Sequence, residues 1–159
     1  MKLAVCISGQ ARDNGKWLKE LTSRLEIYNP DYYIALYDES LAHELLKTIS
    51  PKNYLLIPQI KGEELRNYFL YRYQNITNCG SIHLSEMKTV LDTPDKKRNT
   101  SGLRDNPMKM WYAISRCNDM QKDSGIGYDY VLRARPDLRV FRPKHNFEFP
   151  KLCSDEVGV

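Results

Sequence analysis

Two arginines and one carboxylate alternate within the segment Tyr128–Leu138, directly after an apolar run. Side chains alternate between the two faces of a strand, so Arg133, Arg135 and Asp137 are predicted to share one face. Arginine binds phosphate oxygens through paired N–H donors, and a carboxylate is a suitable ligand for Mg²⁺ or Mn²⁺. This spacing therefore predicts a site for a ligand that carries both phosphate and a divalent cation. A structural Arg–Asp ion pair at the end of a sheet explains the same spacing equally well.

Three apolar runs in the N-terminal half are predicted to be strands that lead toward such a site. These runs are Leu3–Ile7, Tyr32–Tyr37 and Tyr54–Ile57. Between them, apolar residues recur at helical spacing, first at Trp17, Leu18, Leu21 and Leu25 and then at Leu41, Leu45, Leu46 and Ile49. Strands and helices that alternate with short connections are typical of a parallel sheet with helices packed on it. We therefore predict an α/β fold.

The second half of the chain is predicted to add two helices separated by a loop. Apolar spacing indicates one helix over Glu63–Tyr73. A second helix is predicted to start at Pro107, with Asn106 as its N-cap and an apolar stripe from Met110 to Met120. The intervening region 78–105 is polar and contains glycine and proline, which predicts a flexible loop. No linker divides the sequence, so 1–159 is expected to be a single domain.

Ligands of open parallel sheets bind beyond the carboxyl ends of the strands, and polar residues follow three predicted strands at such ends. The predicted binding residues are Ser8, Gly9, Gln10, Arg12, Tyr37, Asp38, Arg133 and Arg135. Gly9 allows a tight turn that brings backbone N–H groups close to a ligand, although a plain turn also explains it. Asp38 can bind a ribose or cap the next helix. Neither a G-x-G-x-x-G nor a P-loop motif is present, which argues against a classical dinucleotide or NTPase site.

Composition indicates a folded protein and narrows the partners. Hydrophobic residues make up 42% of the chain and charged residues 28%. The net charge of +4 comes from dispersed residues, so charge alone does not predict binding to nucleic acid. The four cysteines lack the spacing of a zinc or redox motif, and the first apolar run is too short for a signal peptide or membrane span. We expect a cytoplasmic protein without a membrane span.

Three segments resemble the short GT-A-fold glycosyltransferases of bacteria and large DNA viruses: Ala4–Arg12, Met108–Ile114 and Tyr128–Leu138. The resemblance covers nearly the whole chain in order. It implies a three-layer α/β/α sandwich of GT-A type around a mainly parallel twisted sheet. It also implies transfer of a sugar from a nucleotide-diphosphate sugar donor to an acceptor hydroxyl on a glycan or other glycoconjugate.

The same resemblance implies roles for particular residues. Many enzymes of this family hold Mn²⁺ or Mg²⁺ with an Asp-x-Asp motif, whereas this chain has Arg135-Pro136-Asp137 in that place. Asp137 is therefore the implied metal ligand, and Arg133 and Arg135 are the implied catalytic cations that stabilise the leaving diphosphate. Inverting transfer of a hexosyl or deoxyhexosyl group is implied, with Asp155 as the general base.

Two other classes of function remain open. Chains of this family usually continue further, so the domain is expected to be truncated on the acceptor side. A non-catalytic nucleotide or nucleotide-sugar binding module, or a remnant that needs a partner chain, is the first alternative. A nucleic-acid binding protein that uses the basic run Lys96–Arg98 is the second and is ranked last.

Overall fold

The computed structural model describes residues 1–12, 16–60, 62–73, 78–79, 82–83 and 105–137. Within these residues the strands are β1 (Leu3–Gly9), β2 (Asp31–Tyr37), β3 (Asn53–Ile57), β4 (Asn78–Cys79), β5 (Ile82–His83) and β6 (Tyr130–Ala134). The α-helices are α1 (Lys16–Leu25), α2 (Ser40–Thr48), α3 (Gly62–Tyr73) and α4 (Asp105–Asp123), and a 3₁₀ turn covers Glu26–Tyr28.

Four strands form one sheet in the order β3-β2-β1-β6, and every neighbouring pair is parallel. The predicted α/β class with a parallel sheet is therefore confirmed. β2 and β3 follow β1 in sequence and lie to one side of it within the sheet. β6 comes later in the sequence and lies on the other side of β1. The strands β4 and β5 form a separate antiparallel pair.

Helices cover both faces of this sheet, which is compatible with a three-layer sandwich. Alternate residues of β1 face opposite layers, and all seven of its residues are buried. On one face Leu3, Val5 and Ile7 pack with apolar residues of α1 and α2. On the other face Ala4 and Cys6 pack with apolar residues of β2 and α4. The continuous apolar run at the start of the chain is thus explained by burial on both sides.

The predicted start of α4 is wrong by a short distance. The helix begins at Asp105, so Asn106 lies inside the first turn and is not the N-cap. Pro107 is tolerated there because the first N–H groups of a helix have no intrahelical partner. Parts of the predicted loop 78–105 are thus strand or helix, and 84–104 lies outside the described residues. No helix in the described ranges has the length and apolar character needed to cross a membrane.

A chain of hydrogen bonds joins the amino ends of β2, β3 and β6. The Tyr128 hydroxyl donates to Asp31 Oδ2 at 2.6 Å, and Lys52 Nζ donates to the same oxygen at 2.8 Å. The Tyr33 hydroxyl lies 2.7 Å from the Tyr128 hydroxyl, and this contact extends the hydrogen-bond network into the core. Burial opposes ionisation of Asp31, but the hydrogen bonds from Lys52 and Tyr128 outweigh it and lower the pKa of this carboxyl.

This network predicts a pH-dependent contribution to stability. We expect Asp31→Asn to lower the free energy of unfolding at neutral pH by about 1 kcal/mol. Because the folded-state pKa of Asp31 lies below its unfolded value, the contribution is complete above about pH 4 and is lost as pH falls through the folded value. Urea unfolding of wild type and variant should therefore converge in acid. An equal difference at pH 7 and at about pH 2 would contradict the assignment.

Candidate functional site

A cavity of about 360 Å³ lies at the carboxyl edge of the sheet, against the N-terminal half of α4. This volume falls within the range of small-molecule binding sites. Six predicted binding residues line it: Ser8, Gly9, Gln10, Arg12, Tyr37 and Arg135. Four residues that were not predicted complete the described lining: Glu39, Gln59, Lys109 and Met110.

The cavity lies where the direction of the strand order reverses. Gly9 is the last residue of β1, and Arg135 follows the neighbouring strand β6. The chain leaves β1 toward β2 on one side of β1, while β6 occupies the other side. Such a switch point is the usual ligand crevice of an open α/β sheet.

Arg135 and Asp137 form a two-point ion pair at the rim of this cavity. Arg135 Nε donates to Asp137 Oδ1, and Arg135 Nη2 donates to Asp137 Oδ2, both at 2.8 Å. These hydrogen bonds hold the pKa of Asp137 below its usual range, and the charge of Arg12 lowers it further. The Arg–Asp ion pair that the sequence allowed as one explanation of this segment is therefore present. Arg135 also lines the cavity.

Two further predicted site residues, Arg133 and Asp38, are not part of the described lining of the cavity. Arg133 lies within β6 and pairs with Cys6 in the β1–β6 register, two residues before Arg135. The Asp38 carboxylate contacts His43 Nε2 at 2.8 Å near the start of α2. Asp155, the predicted general base, lies outside the described residues.

The donor set around Asp137 does not fit a metal site as far as the structure describes it. Both carboxylate oxygens already accept hydrogen bonds from Arg135. No group of three or more His, Cys, Asp and Glu side chains comes together among the described residues. The described lining of the cavity carries three cationic side chains, those of Arg12, Lys109 and Arg135.

Hydrogen bonds position the lining residues that sequence reasoning missed. The Tyr37 hydroxyl donates to the Lys109 carbonyl oxygen at 2.9 Å, which fixes α4 against the end of β2. Gln10 Nε2 donates to Glu39 Oε1 at 2.9 Å and joins the segments after β1 and β2. Glu39 and Gln59 follow strands β2 and β3. They could have been predicted, because ligands of open parallel sheets bind beyond the carboxyl ends of the strands. Lys109 belongs to a helix, and no local signal placed it at this edge.

Gly9 has a backbone conformation that favours glycine. Its φ is +125°, and a Cβ at this position would lie 3.8 Å from Pro136 Cδ. We expect Gly9→Ala to lower the free energy of unfolding by about 1 to 3 kcal/mol, because the strain comes from the backbone and not from a clash. Thermal unfolding measures this loss. Gly127→Ala is the control, since no φ in the left-handed range applies there and open space surrounds its Cβ position. Equal losses in the two variants would contradict the strain at Gly9.

In comparisons with known proteins, no protein-family model, curated protein or solved structure matches this chain at a significant level. The resemblance to GT-A enzymes stays a prediction from three segments of the sequence. The cavity at the carboxyl edge is the main guide to function.

Proposed function

We propose that this chain is a GT-A-type glycosyltransferase that binds a nucleoside diphosphate sugar in the cavity and transfers the sugar to an acceptor hydroxyl. One observation carries the proposal: Arg12, Lys109 and Arg135 all line a cavity at the switch point of a parallel sheet. On the described lining, three cations stand beside one carboxylate, Glu39, which favours an anionic ligand with more than one charge. A diphosphate has that charge. The proposal that the ligand also carries a sugar comes from the resemblance of three segments to glycosyltransferases.

The binding step follows from the chemistry of the lining. Arginine donates paired N–H groups to phosphate oxygens, so Arg12 and Arg135 are suited to the diphosphate. Lys109 adds a charge from α4, near the helix end whose N–H dipoles favour anions. Gly9 lets the backbone approach a ligand closely without a side chain in between.

The transfer step places negative charge on the leaving nucleoside diphosphate. As the bond between the sugar carbon and the phosphate oxygen breaks, its electron pair stays on that oxygen. Cations that are already in position stabilise this charge without reorganising, which lowers the barrier. The acceptor hydroxyl loses its proton as its oxygen bonds to the sugar. Glu39 is the one carboxylate on the described lining that can accept this proton, and Asp155 remains the candidate predicted from the resemblance.

A nucleotide-sugar binding module without transfer is the second candidate. Glu39 Oε1 already accepts a hydrogen bond from Gln10 Nε2, so one of its two oxygens is engaged before an acceptor binds. No second carboxylate from the described residues lines the cavity. The nucleic-acid alternative depended on Lys96–Arg98, which lie outside the described ranges.

Calorimetric titration with UDP, GDP and dTDP, in EDTA and in Mn²⁺, tests the proposal. We expect micromolar binding of one of them and weaker binding of the matching nucleoside monophosphate. The preferred nucleotide then selects the sugar donors for an assay of nucleoside diphosphate release with and without sugar acceptors. Release that depends on an acceptor supports the transferase. Binding without release supports the module, and absence of all binding would contradict both.

A further inference from the structure

We infer that Asp137 is a positioning residue that holds Arg135 in the orientation that binds a diphosphate, and is not itself a ligand of a divalent cation. This inference depends on the proposed function only in taking a diphosphate as the ligand of the cavity. Arg135 is the residue that touches the ligand, and Asp137 acts through it.

The contact geometry uses one edge of the guanidinium and leaves another edge available. Nε and Nη2 of Arg135 donate to the two oxygens of Asp137 at 2.8 Å each. Within the described part of the chain, Arg135 hydrogen-bonds to no other acceptor. The edge formed by Nη1 and Nη2 thus retains parallel N–H donors, which match two oxygens of a diphosphate.

Asp137 is the less exposed partner of this ion pair, as expected of the residue that anchors the other. The Arg135 side chain is 54% exposed, whereas that of Asp137 is 21% exposed. Pro136 between them is fully buried, and its Cδ lies close to the position that a Cβ on Gly9 would occupy. Proline has a fixed φ, so the backbone that carries both side chains is well held.

An anchored arginine binds a ligand at lower entropic cost. A free arginine side chain loses rotamer entropy when a ligand immobilises it. The bond to Asp137 removes much of that freedom before the ligand arrives. To bind a cation, by contrast, Asp137 would have to release Arg135, and the described residues offer no group of partners to complete such a site.

Three possible roles for Asp137 predict different changes in diphosphate affinity when its side chain is removed. A metal ligand would lose affinity only in the presence of metal. A carboxylate that merely offsets the nearby cations would, when removed, strengthen binding of an anion. A positioning residue weakens binding with or without metal, and only while Arg135 is present.

A double-mutant cycle with inorganic pyrophosphate as the probe separates these roles. Wild type, Asp137→Ala, Arg135→Ala and the double variant are titrated in EDTA and in Mn²⁺, and thermal unfolding confirms that each is folded. We expect Asp137→Ala to weaken binding about tenfold in both buffers, and to cause no further loss when Arg135 is already alanine. Asp137→Glu, which retains a carboxylate, should recover part of the loss. Asp123→Ala removes a charge at the far end of α4 and is the matched control.

Several results would overturn the inference. These are tighter binding by Asp137→Ala, a loss confined to Mn²⁺, or losses that add in the double variant. Repeating the cycle with the preferred nucleoside diphosphate separates this inference from the proposed function. If pyrophosphate shows the coupling but no nucleoside diphosphate binds, the proposed function fails and the positioning role stands. If nucleoside diphosphate binds without the coupling, the positioning role fails and the function stands.

Discussion

Arg135→Ala is expected to weaken nucleoside diphosphate binding by roughly 10- to 100-fold, the largest loss from any single side chain on the cavity. Hydrogen bonds to ionised groups contribute about 1.5 to 3 kcal/mol, and Arg135 presents two donors on one edge. The loss should be similar in EDTA and in Mn²⁺, because the guanidinium carries its charge without metal. Titration at constant ionic strength measures it, since salt screens the contribution of exposed charges.

Arg133→Ala is the matched control for this prediction. Arg133 has the same charge as Arg135 and lies two residues before it, within β6. It lies beside Cys6, away from the lining of the cavity. We expect its removal to change affinity by less than about twofold, through long-range charge alone. Equal losses in the two variants would show that net charge, and not the position of Arg135, determines binding.

Tyr37→Ala is expected to lower the free energy of unfolding by about 3 to 5 kcal/mol, as for other buried aromatic residues. The Tyr37 side chain is 5% exposed and packs in the layer between the sheet and α4. Its hydroxyl also donates to the Lys109 carbonyl oxygen. The truncation should therefore weaken diphosphate binding as well, because Lys109 loses the contact that fixes it beside the cavity. Urea unfolding and pyrophosphate titration measure the two effects.

Two controls separate packing from hydrogen bonding at Tyr37. Tyr37→Phe keeps the ring and should lose only about 1 kcal/mol, the contribution of one hydrogen bond. Tyr54→Ala removes a tyrosine that is 55% exposed on the neighbouring strand β3, and it should change stability by no more than about 0.5 kcal/mol. If Tyr54→Ala costs as much as Tyr37→Ala, the core is not where the structure places it.

Local patterns in the sequence were sufficient for most elements of the fold. The apolar run of β1 predicted a strand buried on both sides, and the stripe with Leu18 and Leu21 predicted the buried face of α1. These predictions succeeded because the spacing of apolar residues depends only on residues that are close together in the sequence. The end of a helix depends on fewer residues, so the predicted cap at Asn106 missed the start of α4.

Tertiary contacts decided which of the predicted residues share a site. Spacing placed Arg133, Arg135 and Asp137 on one face, but it could not show that only Arg135 lines the cavity. It also left open whether Asp137 binds a cation or an arginine. The structure records the contact with Arg135, which depends on side-chain orientation.

By itself, the sequence determined the class of fold, the identity of its main strands and helices, and the edge of the sheet where polar residues converge. Only the tertiary structure decided that β6 lies beside β1, that Lys109 joins the cavity from α4, and that Asp137 holds Arg135. The physical reason is the range of the interactions. Periodicity and turn chemistry act between residues that are near in sequence, whereas strand order, helix docking and ion pairing depend on which distant surfaces pack together.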